Sequence, residues 1–220
     1  MRIALETLKP AILVIAIALG FVVHSAPARA AASETAIFAG GCFWCVEADF
    51  EKVKGVTGAI SGFAGGTVEN PSYKQVVRGG TGHYEAVEIT YDPAVVSYDQ
   101  LVHLFFRSVD PTDGGGQFCD RGASYRTAIF ATAAQRPVAE AAKAEAEAEL
   151  GQPVITEIQA AVPFYPAEDY HQGYYKSGDL ILTRFGPKSK ADAYKLYRNA
   201  CGRDQRVKAL WGADAPFAGG

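Results

Sequence analysis

The most distinctive chemical feature of the chain is a pair of cysteines separated by two aromatic residues. Cys42 and Cys45 enclose Phe43 and Trp44 within the segment GGCFWC. An apolar run that ends in two glycines precedes Cys42, and apolar residues at helical spacing follow it, so we expect a strand to pass into a helix there. Free backbone N–H groups and the helix dipole at such a start favour a thiolate, which makes Cys42 a candidate nucleophile. A buried core cysteine at a helix start is the competing interpretation.

The spacing of these two cysteines is compatible with several kinds of chemistry. A Cys-x-x-Cys pair can exchange disulfides, provide half of a zinc site or form a structural bridge. We expect no metal, because the other two cysteines, Cys119 and Cys201, are single and far apart in the sequence. Phe43 and Trp44, beside the candidate nucleophile, would form an apolar wall for a substrate group such as a methyl.

Strand and helix patterns along the chain predict the elements that position these cysteines. Apolar periodicity predicts strands over residues 35–41, 56–63, 83–91, 125–132 and 154–162 and helices over 42–54, 97–109 and 133–150. This order suits an α+β two-layer sandwich, with a mostly antiparallel mixed sheet, helices packed on it and a ferredoxin-like core. The polar composition of 188–220 predicts an extended, partly flexible C-terminal tail with helical stretches at 191–199 and 203–211.

The first thirty residues have the composition of a secretory signal peptide. Basic residues precede an apolar run, Ala11–Val23, and the small-residue pattern Ala28–Ala30 follows it. The run is shorter than the roughly twenty residues that span a bilayer. We therefore expect cleavage after Ala30, export to the periplasm, no membrane contact after cleavage and a single catalytic domain over residues 31–220. An uncleaved membrane anchor is the alternative.

Removal of residues 1–30 makes the chain more acidic. The full chain has 21 Lys+Arg and 24 Asp+Glu; losing three basic residues and one acidic residue leaves 18 against 23, a formal charge of −5. A mildly acidic chain without a basic run argues against a nucleic-acid partner.

Five segments follow one another along the chain in an order that belongs to a known family. They are Gly40–Cys45 (GGCFWC), Asn70–Val76 (NPSYKQV), Gly79–Ala86 (GGTGHYEA), Asp120–Arg126 (DRGASYR) and Phe164–Gln172 (FYPAEDYHQ). Together they resemble the signatures of A-type peptide methionine sulfoxide reductases, in the subgroup with GCFWC. The resemblance implies a thiol enzyme that returns methionine S-sulfoxide, free or in peptides, to methionine.

The resemblance also implies a role for individual residues. A thiolate attacks the sulfoxide sulfur, and the oxygen must gain a proton before it leaves. Cys42 matches the nucleophile and Glu85 the proton donor. Glu85 should then be buried, and strand alternation places it on the same face as Val87 and Ile89. The positions that match substrate-binding residues are Phe43, Trp44, Tyr73, Asp120 and Tyr125.

Completion of the cycle requires a second thiol. Attack leaves Cys42 as a sulfenic acid, which condenses with a thiol to a disulfide that an external reductant opens. Cys201 is the first choice for this resolving thiol because it lies in the predicted flexible tail, and Cys45 is the alternative because it is close in sequence. Cys119 stands where many relatives have asparagine, so its role is open. We expect a thioredoxin-like donor, no bound cofactor and a monomer.

Two other functions remain open from the residues alone. A disulfide oxidoreductase would act through Cys42 and Cys45 and would not need Glu85. A non-catalytic exported domain would use its four cysteines for two structural bridges. Only a reductase would form methionine from its sulfoxide without an added donor.

Overall fold

The computed structural model describes residues 32–183 and 186–219. The predicted signal peptide, residues 1–30, lies outside the described residues. From Ala32 onward the chain forms one compact unit. Among the described residues, no helix has the length and apolar character needed to cross a bilayer.

Strands and helices alternate along the described residues much as the periodicity predicts. The strands are β1 (Glu34–Gly40), β2 (Val56–Ala64), β3 (Tyr84–Tyr91), β4 (Gly116–Gln117), β5 (Asp120–Arg121), β6 (Thr127–Ala131), β7 (Glu157–Ala160), β8 (Tyr165–Pro166), β9 (Leu180–Thr183) and β10 (Gly186–Ser189). The helices are α1 (Phe43–Phe50), α2 (Tyr73–Arg78), α3 (Tyr98–Ser108), α4 (Arg136–Leu150), α5 (Lys190–Ala200) and α6 (Arg203–Trp211). Short 3-10 turns lie at Ala123–Tyr125, Asp169–His171, Tyr174–Lys176 and Gly212–Asp214.

Six of these strands form one sheet in the order β7-β6-β1-β3-β2-β8. All neighbours in the sheet are antiparallel except β6 and β7. The prediction of an α+β fold with a mostly antiparallel mixed sheet is therefore confirmed. The central strands have the order β6-β1-β3-β2, with α1 between β1 and β2 and α3 between β3 and β6. This arrangement is compatible with the predicted ferredoxin-like core.

The helices cover one face of this sheet. Phe38, Val87 and Ile89 alternate onto that face, are fully buried and belong to one cluster with Phe50 of α1. Burial of each such side chain contributes about 1.5–3 kcal/mol. The resulting register also directs Glu85 onto the helix-covered face. On the opposite face, a smaller cluster is covered by residues of the β7–β8 connection instead of by helices.

The segment that follows β9 forms helices that pack behind α1. Residues 190–200 and 203–211 are helical, as predicted. Arg203 is 2% exposed and donates to the carbonyl oxygens of Gly40, at 3.1 Å, and Ser108, at 2.9 Å. Arg198 donates to Asp49 at 2.8 Å. The predicted partial flexibility of 188–220 stays a prediction, but its two helices are anchored to the core by buried charges.

Candidate active site

Cys42 lies at the junction of β1 and α1, where it occupies the cap position before the helix. Two preceding glycines make this passage feasible. A Cβ on Gly40 would lie 2.9 Å from Val46 Cγ2, and one on Gly41 would lie 2.6 Å from Gln117 Cβ. Gly41 also has a φ of +82°, which L side chains rarely adopt. The predicted strand-to-helix passage is present, and it leaves Cys42 only 7% exposed.

The Cys42 thiol is protonated, not ionised, in the free site. Burial raises its pKa well above the ordinary value, and Cys45 and Glu85 add to this effect. The first backbone N–H of α1, on Phe43, is already engaged, because it donates a hydrogen bond of 3.1 Å to Glu85 Oε2. The expectation that the helix start holds Cys42 as a thiolate is therefore wrong for the free site.

Cys45 lies one turn further along α1 and contacts Cys42. The two sulfurs are within hydrogen-bonding reach, and Cys45 is 2% exposed. The hydrogen bond from the Cys42 thiol lowers the pKa of Cys45; burial opposes this shift, and the nearby Arg203 and Arg198 guanidinium groups support it. The Cys45 sulfur therefore lies directly beside the Cys42 sulfur, among buried positive charges.

Glu85 is buried, as strand alternation predicts. Its side chain is 1% exposed and projects from β3 toward the start of α1. Burial raises the pKa of Glu85 to about 8, against the hydrogen bond from Phe43, and the charge of Asp120 adds to the increase. The carboxyl group is therefore largely protonated at neutral pH and can give up a proton to a bound group.

Two tyrosine hydroxyls lie beside this carboxyl group. Tyr125 is within side-chain hydrogen-bonding reach of both Tyr73 and Glu85. Burial raises the pKa of both tyrosines, so each keeps its proton and can donate to an oxygen. Tyr73 is the first residue of α2, where its backbone N–H donates to both Glu168 oxygens at 3.2 and 3.3 Å.

The predicted site residues surround one cavity of about 90 Å³. Its lining residues are Cys42, Phe43, Trp44, Tyr73, Glu85, Asp120, Tyr125 and Tyr197. The structure therefore brings together every predicted residue except the two candidates for the resolving thiol. Cys45 lies behind Cys42 on α1, and Cys201 lies on the other side of Tyr197.

Tyr197 is a residue of the cavity that the sequence analysis missed. It projects from α5, and its hydroxyl donates a short hydrogen bond to Asp120 Oδ2. Burial raises the pKa of Asp120, while Tyr197 and Arg203 oppose the shift. The only signal in the sequence is that Tyr197 lies four residues, one helical turn, before Cys201.

An aromatic layer lies behind the apolar wall of the cavity and was also missed. The ring of Tyr174 stacks on Trp44 with centroids 3.8 Å apart and an interplanar angle of 9°. The His171 ring lies 5.1 Å from Phe43 and 4.4 Å from Tyr73. Burial lowers the pKa of His171 to about 4, so the ring is neutral and contributes to packing. Together these rings hold the wall in place.

The segment Phe164–Gln172 is anchored to the sheet by paired hydrogen bonds. The Gln172 side chain accepts from Ser61 N at 2.9 Å and donates to Ser61 O at 2.8 Å. Glu47 of α1 accepts from Ser61 Oγ at 2.7 Å and from Gly173 N at 2.6 Å. These bonds place the aromatic layer against α1, which explains why the motif ends in a polar residue, Gln172.

The other two cysteines form a disulfide at the edge of the site. Cys119 and Cys201 have Cα atoms 4.9 Å apart, while Cys42 and Cys45 are free thiols. Cys119 is exposed and directly precedes Asp120. Donor atoms of these two cysteines and Asp120 lie within 4.8 Å of one another. Because the two sulfurs are bonded to each other, they cannot serve as thiolate ligands for a metal.

Comparisons with known proteins agree with this geometry. Residues 34–208 match the family model described as peptide methionine sulfoxide reductase. A peptide methionine sulfoxide reductase MsrA 2 of Rhizobium meliloti is 50% identical over 194 residues, which cover 88% of this chain and 90% of that protein. A peptide methionine sulfoxide reductase MsrA 2 of Caulobacter vibrioides is 48% identical over 203 residues, which cover 91% of this chain and 97% of that protein.

Solved structures give the same result. Reduced Mxr1 of Saccharomyces cerevisiae has a TM-score of 0.62 and 32% identity, covering 66% of this chain and 85% of that one. Methionine sulfoxide reductase A of Corynebacterium diphtheriae has a TM-score of 0.58 and 34% identity, and the match covers 67% of this chain and 75% of that one.

The fold, the cavity and these matches define a thiol-dependent oxidoreductase. The chain belongs to the peptide methionine sulfoxide reductase family and is a reductase of the A type. The resemblance to A-type reductases found in the sequence is thereby confirmed, while the GCFWC subgroup stays a prediction. The disulfide oxidoreductase alternative is not favoured.

Proposed function

We propose that Cys42 performs the reduction of methionine S-sulfoxide, both free and in peptides, within the cavity. The observation that carries this proposal is that a buried, protonated carboxyl group lies in one small cavity with a buried cysteine. A carboxyl group held neutral near pH 7 is suited to protonate an oxygen that must leave. Phe43 and Trp44 provide an apolar wall for the methyl group, and Tyr73 and Tyr125 donate to the sulfoxide oxygen.

The protons and electrons of the reaction balance within the cavity. The Cys42 sulfur attacks the sulfoxide sulfur, Glu85 gives its proton to the oxygen, and the proton of the Cys42 thiol replaces the one that Glu85 lost. The S–O bond of the substrate breaks and the oxygen passes to Cys42, which becomes a sulfenic acid while methionine is released. Asp120, held by Tyr197, orders the substrate or a water molecule beside the reacting oxygen.

Cys45, and not Cys201, is the better candidate for the thiol that resolves the sulfenic acid. Cys45 is a free thiol within hydrogen-bonding reach of Cys42. Cys201 is bonded to Cys119 and caps the C-terminal end of α5. It was the first choice because of a predicted flexible tail, and these contacts do not support such flexibility at Cys201. Cys45 displaces the oxygen of Cys42 as water, and a disulfide joins the two residues.

The disulfide is then transferred from the buried cysteine pair to the pair at the edge of the site. Starting from reduced Cys119 and Cys201, one of these thiolates attacks the Cys42–Cys45 disulfide, and its partner completes the exchange. The products are two free thiols inside the site and the Cys119–Cys201 disulfide at its edge. A thioredoxin-like dithiol protein reduces that disulfide.

Residues 1–30 direct export, so the donor is one that acts in the periplasm. The signal-like pattern of residues 1–30 supports this location. After cleavage the chain acts as a monomer without membrane contact, and it takes no bound cofactor because the cysteines supply all electrons.

A donor-free assay tests the proposed function. Fully reduced protein without residues 1–30 is mixed with dabsylated methionine S-sulfoxide, and methionine formed per chain is measured. We expect at least one equivalent from the wild type and none from Cys42→Ser. Methionine formation by Cys42→Ser would refute the assignment, and absence of product from the wild type would refute the activity.

Thiol exposure provides a physical reason why the dithiol-exchange alternative fits poorly. A disulfide oxidoreductase must bring its nucleophile into contact with a protein disulfide. Cys42 is 7% and Cys45 2% exposed, which suits attack on a small group that enters a cavity.

A further inference from the structure

The two cysteine pairs differ in how accessible they are to another protein. Cys42 and Cys45 are buried, whereas Cys119 is exposed. Reduction of a disulfide by a protein dithiol requires the donor sulfur to touch one sulfur of the bond along the bond axis. Among the described residues, the Cys119–Cys201 disulfide has one exposed cysteine, Cys119, which is where we expect an incoming thiolate to attack.

A groove of about 420 Å³ runs beside this disulfide. One wall is an apolar stripe on α5 formed by Ala193, Leu196 and Ala200, whose spacing places them on one helix face. Thr183 at the end of β9 lines the other side. Ala200 directly precedes Cys201, so a small side chain flanks the disulfide and a second backbone can approach it closely.

The helical wall of the groove is apolar and exposed. Leu196 is 42% exposed, and Ala193 and Ala200 flank it on the same helix face. Clustered exposed apolar side chains mark interaction sites in soluble proteins. The groove contains neither Cys42 nor Glu85, so the sulfoxide is not its occupant.

We propose that this groove, which we call the α5 groove, is the docking site of the thioredoxin-like donor; the inference rests on the proposed function. The apolar surface around the donor's dithiol packs on Leu196 and Ala193. One donor thiolate attacks Cys119 and releases Cys201 as a thiolate, which takes up a proton. The second donor thiolate then attacks the donor sulfur of the mixed disulfide and releases Cys119, so the donor leaves with a disulfide.

Charge substitutions in the groove separate docking from chemistry. Leu196→Glu and Ala193→Glu place a charge on the proposed contact surface. Val95→Glu, at a residue that is 48% exposed and does not line the groove, is the matched control. Activity is measured with thioredoxin, thioredoxin reductase and NADPH, and separately with dithiothreitol. We expect Leu196→Glu to raise the KM for thioredoxin by about tenfold or more, the change produced by losing one well-packed contact.

The KM for sulfoxide and the dithiothreitol-supported rate should stay within about twofold for all three variants, since dithiothreitol needs no docking surface. An unchanged KM for thioredoxin in both groove variants would overturn the docking proposal, as would an equal increase in Val95→Glu. Loss of the dithiothreitol-supported reaction in the wild type would refute the proposed function instead.

Discussion

At the scale of single residues, Glu85 combines a functional role with a cost in stability. Its carboxyl group is buried on β3, accepts a hydrogen bond from Phe43 N and lies within hydrogen-bonding reach of Tyr125. This environment raises its pKa from the ordinary 4.5 to about 8. Below pH 4.5 the group is neutral in the folded and the unfolded chain. Between pH 4.5 and pH 8, Glu85 ionises only in the unfolded chain, so the folded state loses stability as pH rises. The loss levels off above pH 8.

Replacement of Glu85 by glutamine should therefore change how stability depends on pH. The unfolding free energy of Glu85→Gln minus that of the wild type is expected to increase from pH 4.5 to 8, by on the order of a few kcal/mol. Urea unfolding at pH 5 and pH 8.5 measures this difference. Glu88→Gln, on the half-exposed face of the same strand, is the control. A difference that is flat with pH would mean that Glu85 is not held neutral.

At the scale of elements, the passage from β1 to α1 sets the position of the nucleophile. Its glycines could be identified from sequence, because a strand that becomes a helix within two residues needs them. The predicted thiolate was wrong for the free site because burial raises the pKa of Cys42, and Glu85, which adds to the increase, comes from a strand more than forty residues away. Tyr197 was missed for a related reason: its partner, Asp120, lies 77 residues earlier, and no local pattern reports such a contact.

A pair of alanine substitutions tests the role of Gly41. Gly41 and Gly79 have similar φ values, +82° and +85°, but a Cβ at Gly79 meets no atom within 4 Å. Gly79→Ala should cost about 1–2 kcal/mol of stability from backbone strain alone. Gly41→Ala should cost clearly more, because its Cβ also meets Gln117, and should slow sulfoxide reduction. Urea unfolding measures the free energy of unfolding of both variants. Equal losses of this free energy would show that the close contact with Gln117 is not important.

At the scale of the whole molecule, the chain separates a buried reaction site from an exposed exchange site. The sheet and helix pattern, the family motifs and the cavity residues other than Tyr197 could be predicted, since each depends on local periodicity or on a family motif. The pairing of Cys119 with Cys201 could not, because four cysteines allow three pairings and the two lie 82 residues apart. Folding of the last two helices, anchored by Arg198 and Arg203, brings them together.

The order of disulfide formation tests this separation. Fully reduced protein receives one equivalent of sulfoxide, and disulfides are mapped by mass spectrometry after rapid alkylation. We expect Cys45→Ser to accumulate Cys42 sulfenic acid, detected with dimedone, and to form little Cys119–Cys201 disulfide. A double variant, Cys119→Ser with Cys201→Ser, should stop at the Cys42–Cys45 disulfide.

Rapid formation of a Cys42–Cys201 disulfide in Cys45→Ser would instead restore Cys201 as the resolving thiol. That result and the proposed exchange with Cys119 and Cys201 both require α5 to approach Cys42 during the cycle.

The most direct test of the central claim is the rate of the first turnover in the absence of donor. Reduced wild type and Glu85→Gln are mixed with excess methionine S-sulfoxide at pH 7 in a quenched-flow instrument, and methionine is measured over time. If Glu85 protonates the leaving oxygen for Cys42, the variant should be slower by about 10²–10⁴-fold while remaining folded. An equal rate for the two proteins would contradict the account.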